Sequence, residues 1–173
     1  MITIEILPQT GFIFMLVFSR LGSMIMLLPA LGEVSVPSRV RLVFALVMTA
    51  VMMPLVSGAY GSIPSTVPGL AMAVIGEILI GLFIGLSARF IMSALQVAGN
   101  IIGMQTGLSF AQSVDPTQGT QGAMVASFLS LLAVALIFAA DLDHLLIAAM
   151  RDSYLIFEPG ASFPVGDFLE MAV

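Results

Sequence analysis

Residues 96–122 read QVAGNIIGMQTGLSFAQSVDPTQGTQG, and this block of small and uncharged polar residues lies between two long apolar runs. Helices surrounded by hydrocarbon have little use for Gln, Asn and Gly unless two backbones approach closely or polar groups face one another. Non-helical backbone at membrane depth persists only where protein buries it or water reaches it. The block therefore predicts a segment between membrane helices that lines or plugs something.

The composition of the whole chain indicates a membrane protein. Of its 173 residues, 60% are hydrophobic and 9% are charged, and the mean hydropathy is +1.15. Because soluble domains carry about 25% charged residues, this chain has too few polar side chains to cover a soluble core. All five basic residues are Arg and the net charge is −5, so nucleic acid is not expected as a partner. Cys is absent, which excludes disulfides and Cys-ligated metals.

We expect one all-α membrane domain over residues 1–173. Four apolar stretches approach or exceed the ~20 residues that a helix needs to cross the hydrocarbon core. Pro and Gly mark the breaks at 29–38 and 54–69. The predicted segments are a first hairpin at about 11–57, a long third helix at about 68–108, a plug-like loop at 107–122, a fourth helix with the following segment at about 122–157, and an acidic tail at 158–173.

Three ionisable residues, Arg20, Glu77 and Arg89, lie inside apolar stretches. An ionised group at mid-bilayer costs at least ~2.5–3.5 kcal/mol, so it normally faces a bundle interior, a cavity or a partner. One interpretation is a proton or ion path or a pore wall. The other is a structural ion pair or a polar contact to another subunit, in which Glu77 pairs with Arg89 or with a neighbouring chain. With Gln96 and Asn100, these three residues are predicted to be buried polar groups.

Glycines at four-residue spacing predict close contacts between helices. On a helix, Gly99, Gly103 and Gly107 fall within about 100° of one another, together with Gln96 and Asn100. Such a face lets another helix approach at close range and form hydrogen bonds through the amides. The predicted packing glycines are Gly81, Gly85, Gly99, Gly103 and Gly107.

Metal binding and catalysis find little support in the sequence. Asp141, Asp143 and His144 could supply metal ligands from one turn, but no second cluster completes the shell, and capping of helix ends explains the acids equally well. No Ser–His–Asp arrangement, nucleotide-binding loop or HExxH motif is present. We therefore expect no metal, no cofactor and no enzymatic activity.

The order of several motifs resembles a known family. SRLGSMIMLLPALGEVSVPSRVRLVFALVMTAVMMP (19–54) is followed by IGEILIGLFIGL (75–86), QVAGNIIGMQTGLSFAQSVDP (96–116) and DLDHLLIAAMRDSYLIFEPG (141–160). Together they resemble the FliR family of flagellar export-gate proteins and its counterpart in virulence type III secretion, the SctT/YscT group. The resemblance covers about residues 10–160, and the flagellar branch is the better match.

The resemblance implies an assembly. A FliR-like subunit joins FliP-like and FliQ-like subunits in a tilted helical spiral, with FlhB-like and FlhA-like proteins as further partners. The location implied is the bacterial inner membrane at the flagellar basal body, and the substrate implied is unfolded polypeptide. Members usually continue into a hydrophobic hairpin that resembles FliQ. This sequence ends at Val173 without one, so it is either a fragment or its second part is supplied otherwise.

The resemblance also implies site residues. The family's GE motif corresponds to Gly76 and Glu77, and its first-hairpin turn corresponds to 29–37. Its pore-plugging loop corresponds to 107–122, for which an ordinary exterior loop is the alternative that composition alone leaves open. The residues assigned to the plug are Gly107, Leu108, Ser109, Phe110, Gln112, Ser113, Asp115, Pro116, Gln118, Gly119 and Gly122.

The sequence leaves two functions open. The leading hypothesis is a pore-forming structural subunit of a flagellar-type protein export gate. The alternative is a transporter or channel subunit for small ions or solutes, in which Arg20, Glu77 and Arg89 form the path. A transporter of this kind predicts that neutralising Glu77 abolishes uptake and leaves assembly intact.

Overall fold

The computed structural model describes residues 6–32, 36–61, 64, 66–107 and 124–159, and every regular element within these ranges is helical. The prediction of an all-α fold is confirmed. The elements in chain order are α1 (Ile6–Leu27), α2 (Ser38–Val56) with a short 3-10 turn (Ser57–Ala59), α3 (Val67–Gln105), α4 (Met124–Ala139) and α5 (Leu142–Ile156).

Local sequence signals explain where the longest helix, α3, begins and ends. At its start, the Thr66 hydroxyl accepts a hydrogen bond from the Gly69 amide at 3.3 Å, and Pro68 occupies the first turn, where it needs no donor. At its end, Gly107 adopts a φ of +76°, the left-handed conformation with which helices commonly stop. A side chain at Gly107 would strain the backbone, so this glycine fixes the direction in which the chain leaves α3.

The first helix is the centre of the fold. Its buried side chains recur every three or four residues and contact α2, α3 and α5, with α2 and α3 forming the most extensive contacts. In turn α3 packs against α4 beyond the end of α1. The buried apolar residues that form this core are Ile13, Val17, Leu21, Met24, Ile25, Leu28, Ala45, Met52, Val56, Met150 and Tyr154.

Three of the helices are long and apolar enough to cross a membrane, over Gln9–Leu27, Ser38–Ala59 and Val67–Gln105. A fourth crossing is counted if α4 and α5, which meet at a 77° bend, form one broken span. The 39 residues of α3 make it about 58 Å long, nearly twice the hydrocarbon thickness of a bilayer. An upright α3 would therefore extend well beyond the hydrocarbon core.

Candidate functional site

An ion pair lies at the centre of the helical core. Arg20 on α1 donates from Nε to the Oε2 atom of Glu77 on α3, across a distance of 2.5 Å. Arg20 is fully buried and Glu77 is 3% exposed. Buried charges are tolerated when they are paired and hydrogen-bonded, so each residue makes the burial of the other possible. Of the two interpretations of these residues, the structure matches the structural ion pair.

The same guanidinium also holds the end of α5. Its Nη1 atom donates to the backbone carbonyls of Ser153 and Phe157, each at 3.0 Å. Ser153 lies in the last turn of α5 and also accepts a hydrogen bond from the Phe157 amide at 3.0 Å, and Phe157 directly follows the helix, at its negative dipole end. One arginine therefore joins α1, α3 and the carboxyl end of α5.

Two tyrosines complete this cluster, which we call the Arg20 cluster (Arg20, Tyr60, Glu77, Ser153, Tyr154 and Phe157). The guanidinium carbon lies 4.2 Å from the centre of the Tyr154 ring, a cation–π contact. The Tyr60 ring meets Tyr154 edge to face, with centroids 6.3 Å apart. Burial raises the pKa of the Tyr60 hydroxyl above its ordinary value, so this group stays protonated.

Not every polar atom of the Arg20 cluster is used. Among the described residues, Arg20 Nη2 and the hydroxyls of Tyr60 and Tyr154 are buried without a hydrogen-bond partner. Unpaired buried donors cost stability. The interactions that stabilise the cluster are the ion pair, the hydrogen bonds to the two carbonyls, the cation–π contact and the edge-to-face contact of the tyrosine rings.

The predicted pairing of Glu77 with Arg89 is wrong. Residues twelve apart on a helix are separated by about 18 Å along the axis and about 120° around it, so Arg89 points away from the α1 contact. The structure places Arg89 on the exposed surface of α3, together with Gln96 and Asn100. The predicted burial of these three side chains is not achieved within this chain, since neither α1 nor α4 covers that side of α3.

The first two glycines of the predicted packing set lie against α1. A Cβ atom at Gly81 would collide with the Ser23 hydroxyl and the Arg20 carbonyl oxygen. One at Gly85 would lie 2.8 Å from Leu27 Cβ and 3.0 Å from the Met24 carbonyl. The absence of side chains at these two positions brings the backbones of α1 and α3 close enough for Arg20 to reach Glu77.

The other three predicted packing glycines, Gly99, Gly103 and Gly107, lie in two different environments. Gly99 and Gly103 are buried, and a Cβ at Gly99 would collide with the backbone of Ala126 on α4. Gly107 is exposed, a Cβ added there would meet no described atom within 4 Å, and its role is to end α3. Its predicted part in packing against a helix of another chain stays a prediction.

The other predicted residues belong to the plug segment and to the acidic turn before α5. Apart from Gly107, the residues assigned to the plug lie at 108–122, outside the described part of the chain. The Asp141 backbone adopts a φ of +53° in the turn between α4 and α5. Within the described residues, no group of three or more His, Asp or Glu side chains is arranged to hold a metal ion.

Sequence reasoning missed Tyr60, Ser153, Tyr154 and Phe157 as members of the central cluster. The backbone carbonyls of Ser153 and Phe157 leave no trace in a sequence, because every residue carries one. The tyrosines do leave a signal, since the chain has only two, one just after α2 and its 3-10 turn and one within α5. A buried phenol usually marks a polar contact within an apolar core.

Comparison with known proteins identifies the family. The sequence model of a family described as "Bacterial export proteins, family 1" matches residues 12–173. The flagellar biosynthetic protein FliR of Caulobacter vibrioides is 49% identical over 158 residues, which cover 91% of this chain and 63% of that protein. The chain belongs to the FliR family.

Two further FliR proteins match at lower identity. FliR of Escherichia coli is 35% identical over 141 residues, covering 78% of this chain and 51% of the relative. FliR of Bacillus subtilis is 28% identical over 157 residues, covering 87% and 58% respectively. The chain thus spans between half and two thirds of the length of these curated relatives.

Substitutions of Glu77 test the ion pair. Glu77→Ala is expected to cost about 3–5 kcal/mol of stability because it leaves Arg20 as an uncompensated buried charge. Glu77→Gln is expected to recover about 1–2 kcal/mol of that loss, since Gln keeps an oxygen that accepts a hydrogen bond. Thermal unfolding of the purified chain in mild detergent, followed by circular dichroism, measures both. Equal melting of wild type and both variants would contradict the buried pair, and Glu158→Ala, at an exposed acid, serves as the control.

Proposed function

We propose that this chain is a pore-forming structural subunit of a flagellar-type protein export gate in the bacterial inner membrane, at the flagellar basal body. The gate would pass unfolded flagellar proteins, and FliP-like and FliQ-like subunits would assemble with the chain, with FlhB-like and FlhA-like proteins as further partners. The observation that carries the proposal is the 49% identity to a flagellar FliR over 91% of the chain. The match of the export-family model to residues 12–173 supports it.

The lengths and surfaces of the helices support an embedded assembly. At about 58 Å, α3 fits a tilted spiral of packed helices better than a simple perpendicular span. Large parts of α2 and α3 expose apolar side chains, including Val51 at 57% and Phe90 at 69%. Exposed apolar areas of this extent on a single chain suit lipid or other subunits.

The arrangement of charged residues gives the transporter alternative little support. A proton or ion path needs its ionisable groups to face one continuous route. Arg20 and Glu77 instead neutralise each other inside the core, and Arg89 lies on another side of α3. We therefore retain the export gate as the proposed function.

The proposal includes a plug formed by residues 107–122. A conduit wide enough for an unfolded chain must be blocked at rest, because ions and small solutes would otherwise leak. A plug must also be displaced without breaking a cooperative core, which favours a segment with few apolar anchors. The sequence of this stretch fits, since Phe110 and Val114 are its larger apolar side chains beyond Leu108 and the rest are mostly Gly, Ser, Thr and Gln.

Deletion of residues 110–119 tests the plug. The expected result is a gate that still assembles with FliP-like and FliQ-like subunits but leaks small molecules and slows growth when expressed. Recovery of the complex in mild detergent measures assembly, and uptake of a normally excluded small dye by intact cells measures leakage. Replacing the same residues with a Gly/Ser segment of equal length is the matched control for loop closure. Normal assembly with unchanged permeability would show that this segment is not the plug.

Assembly itself is tested separately from leakage. Co-expression of the chain with FliP-like and FliQ-like subunits from the same genome should yield a complex that survives mild detergent. If the wild-type chain enters the membrane but none of these subunits purifies with it, the proposed function fails for this chain, whatever the effect of the loop deletion.

A further inference from the structure

A row of polar side chains runs along the surface of α3. Arg89, Ser93, Gln96 and Asn100 are spaced so that they fall within about 60° of one another around the helix. Arg89, Gln96 and Asn100 are exposed, and Ser93 is half-buried. From Arg89 to Asn100 the row is about 16 Å long. We call these four residues the α3 polar row.

The surroundings of the α3 polar row are apolar. On one side lies the buried edge of α3, where Gly99 meets Ala126 of α4. On the other side the exposed residues include Phe90, Val97 and Ile101, which are 69%, 57% and 44% exposed. The exposed surface of α2 is apolar as well, and its exposed side chains include Val40, Val43, Val47 and Val51. The α3 polar row thus interrupts a surface that is otherwise suited to lipid.

A guanidinium and two amides in contact with hydrocarbon are costly, and such groups in membrane helices normally face a partner. The positive charge of Arg89 requires a negative one, and a carboxylate fits the guanidinium through paired hydrogen bonds. Amides at Gln96 and Asn100, about 10 and 16 Å farther along the axis, add donors and acceptors on the same side.

We propose that the α3 polar row is the contact surface for a helix of another export-gate subunit, which places an Asp or Glu against Arg89 and hydrogen-bonding side chains against Gln96 and Asn100. This inference rests on the proposed function, which supplies the assembly. The contact continues the seam that α4 already forms beside it on Gly99.

The long apolar helices of a second copy of this chain, α1 to α4, do not fit the contact. In α1, α2 and α4 no residue is acidic, and the single acid of α3 is Glu77, which is buried against Arg20. The long apolar helices of a second copy would therefore offer Arg89 no free carboxylate. We therefore assign the contact to a different chain whose apolar helix contains an acid.

Charge reversal tests the contact with Arg89. In the chain co-expressed with FliP-like and FliQ-like subunits, Arg89→Glu is expected to lower recovery of the complex about tenfold, because it sets two carboxylates face to face without solvent. Arg151→Glu is the matched control, since Arg151 is an exposed arginine on α5 outside the row. Circular dichroism of the variant chain should show unchanged helix content, because Arg89 is exposed in the chain itself.

Rescue identifies the partner residue. Each acid within the apolar helices of the co-expressed subunits is changed to Lys in the Arg89→Glu background, and one of them should restore recovery of the complex. Normal recovery of the Arg89→Glu complex, or the absence of any rescuing acid, would overturn the proposal. Failure of the wild-type chain to form a complex would instead overturn the proposed function.

Single cysteines provide a second measurement, because the chain has none of its own. Cys at Gln96 or Asn100 should resist a water-soluble maleimide in the assembled gate and react once detergent separates the subunits. Cys at Val97 or Ile101, on the adjacent apolar side, is the control and should change little on separation. Rapid labelling of Gln96→Cys and Asn100→Cys in the intact gate would show a row facing water, as in a conduit wall, and would contradict a helix contact.

Discussion

Replacing Arg20 with Leu is expected to destabilise the chain by about 3–5 kcal/mol, the typical loss when one member of a buried ion pair is removed. The cost has three sources in the structure. Glu77 becomes an unpaired buried charge, the carbonyls of Ser153 and Phe157 lose the guanidinium donor, and Tyr154 loses its cation contact. Thermal unfolding in mild detergent, measured by circular dichroism, gives the size of the loss.

The double variant Arg20→Leu/Glu77→Met separates these sources. Removing both charges is expected to recover much of the loss, since an apolar pair can replace a buried ion pair at little cost. The end of α5 should stay loosened, because the Arg20 guanidinium no longer bridges the carbonyls of Ser153 and Phe157. Hydrogen exchange at residues 153–157 should therefore be faster in the double variant than in wild type. Wild-type exchange at 153–157 in the double variant would contradict the role of Arg20 in holding α5.

Arg20→Lys is informative as well, because an ammonium cannot span Glu77 and the two carbonyls as the planar guanidinium does.

Gly99→Ala is expected to lower stability by about 1–3 kcal/mol, the usual cost of overpacking. The new Cβ would collide with the backbone of Ala126, and backbone cannot rotate out of the way as a flexible side chain can. The α3 and α4 axes would have to separate. The same unfolding measurement, together with the yield of the complex with partner subunits, reports the effect.

Gly76→Ala is the matched control for this substitution. Gly76 lies on the same helix, and a Cβ there meets nothing within 4 Å. Both substitutions gain helix propensity, worth up to about 1 kcal/mol relative to Gly. Gly76→Ala should therefore raise stability slightly while Gly99→Ala lowers it. If both variants were stabilised equally, the close approach of α3 and α4 would be refuted.

The sequence placed several residues correctly and could not place their partners. Inside apolar stretches, Arg20 and Glu77 are conspicuous because hydrocarbon makes isolated charges costly. Glu77, Gly81, Gly85 and Arg89 follow one another at four-residue spacing along α3. Each step of four residues turns that row by about 40°, so Glu77 and the glycines face α1 while Arg89 has turned away.

Gly99, Gly103 and Gly107 also show that the sequence does not reveal which neighbouring helix a residue contacts. Periodicity grouped Gln96, Asn100 and the glycines into one stripe about 100° wide. The structure divides that stripe lengthwise, since α4 covers Gly99 and leaves the amides exposed. Periodicity gives the angle of a residue around its own helix, and only the position of the neighbouring helix decides which part of the stripe is covered.

By itself, the sequence determined that this is an all-helical membrane protein of the FliR family, because composition, apolar run length and ordered motifs are local properties of the chain. Tertiary structure alone decided that Arg20 pairs with Glu77 across 57 residues and caps α5 more than 130 residues away. Those contacts depend on how α1, α3 and α5 cross. Some of them also use backbone carbonyls, which every residue carries, so the residue type does not show which carbonyl is used. Long-range geometry and main-chain acceptors are the two kinds of information that residue identity does not contain.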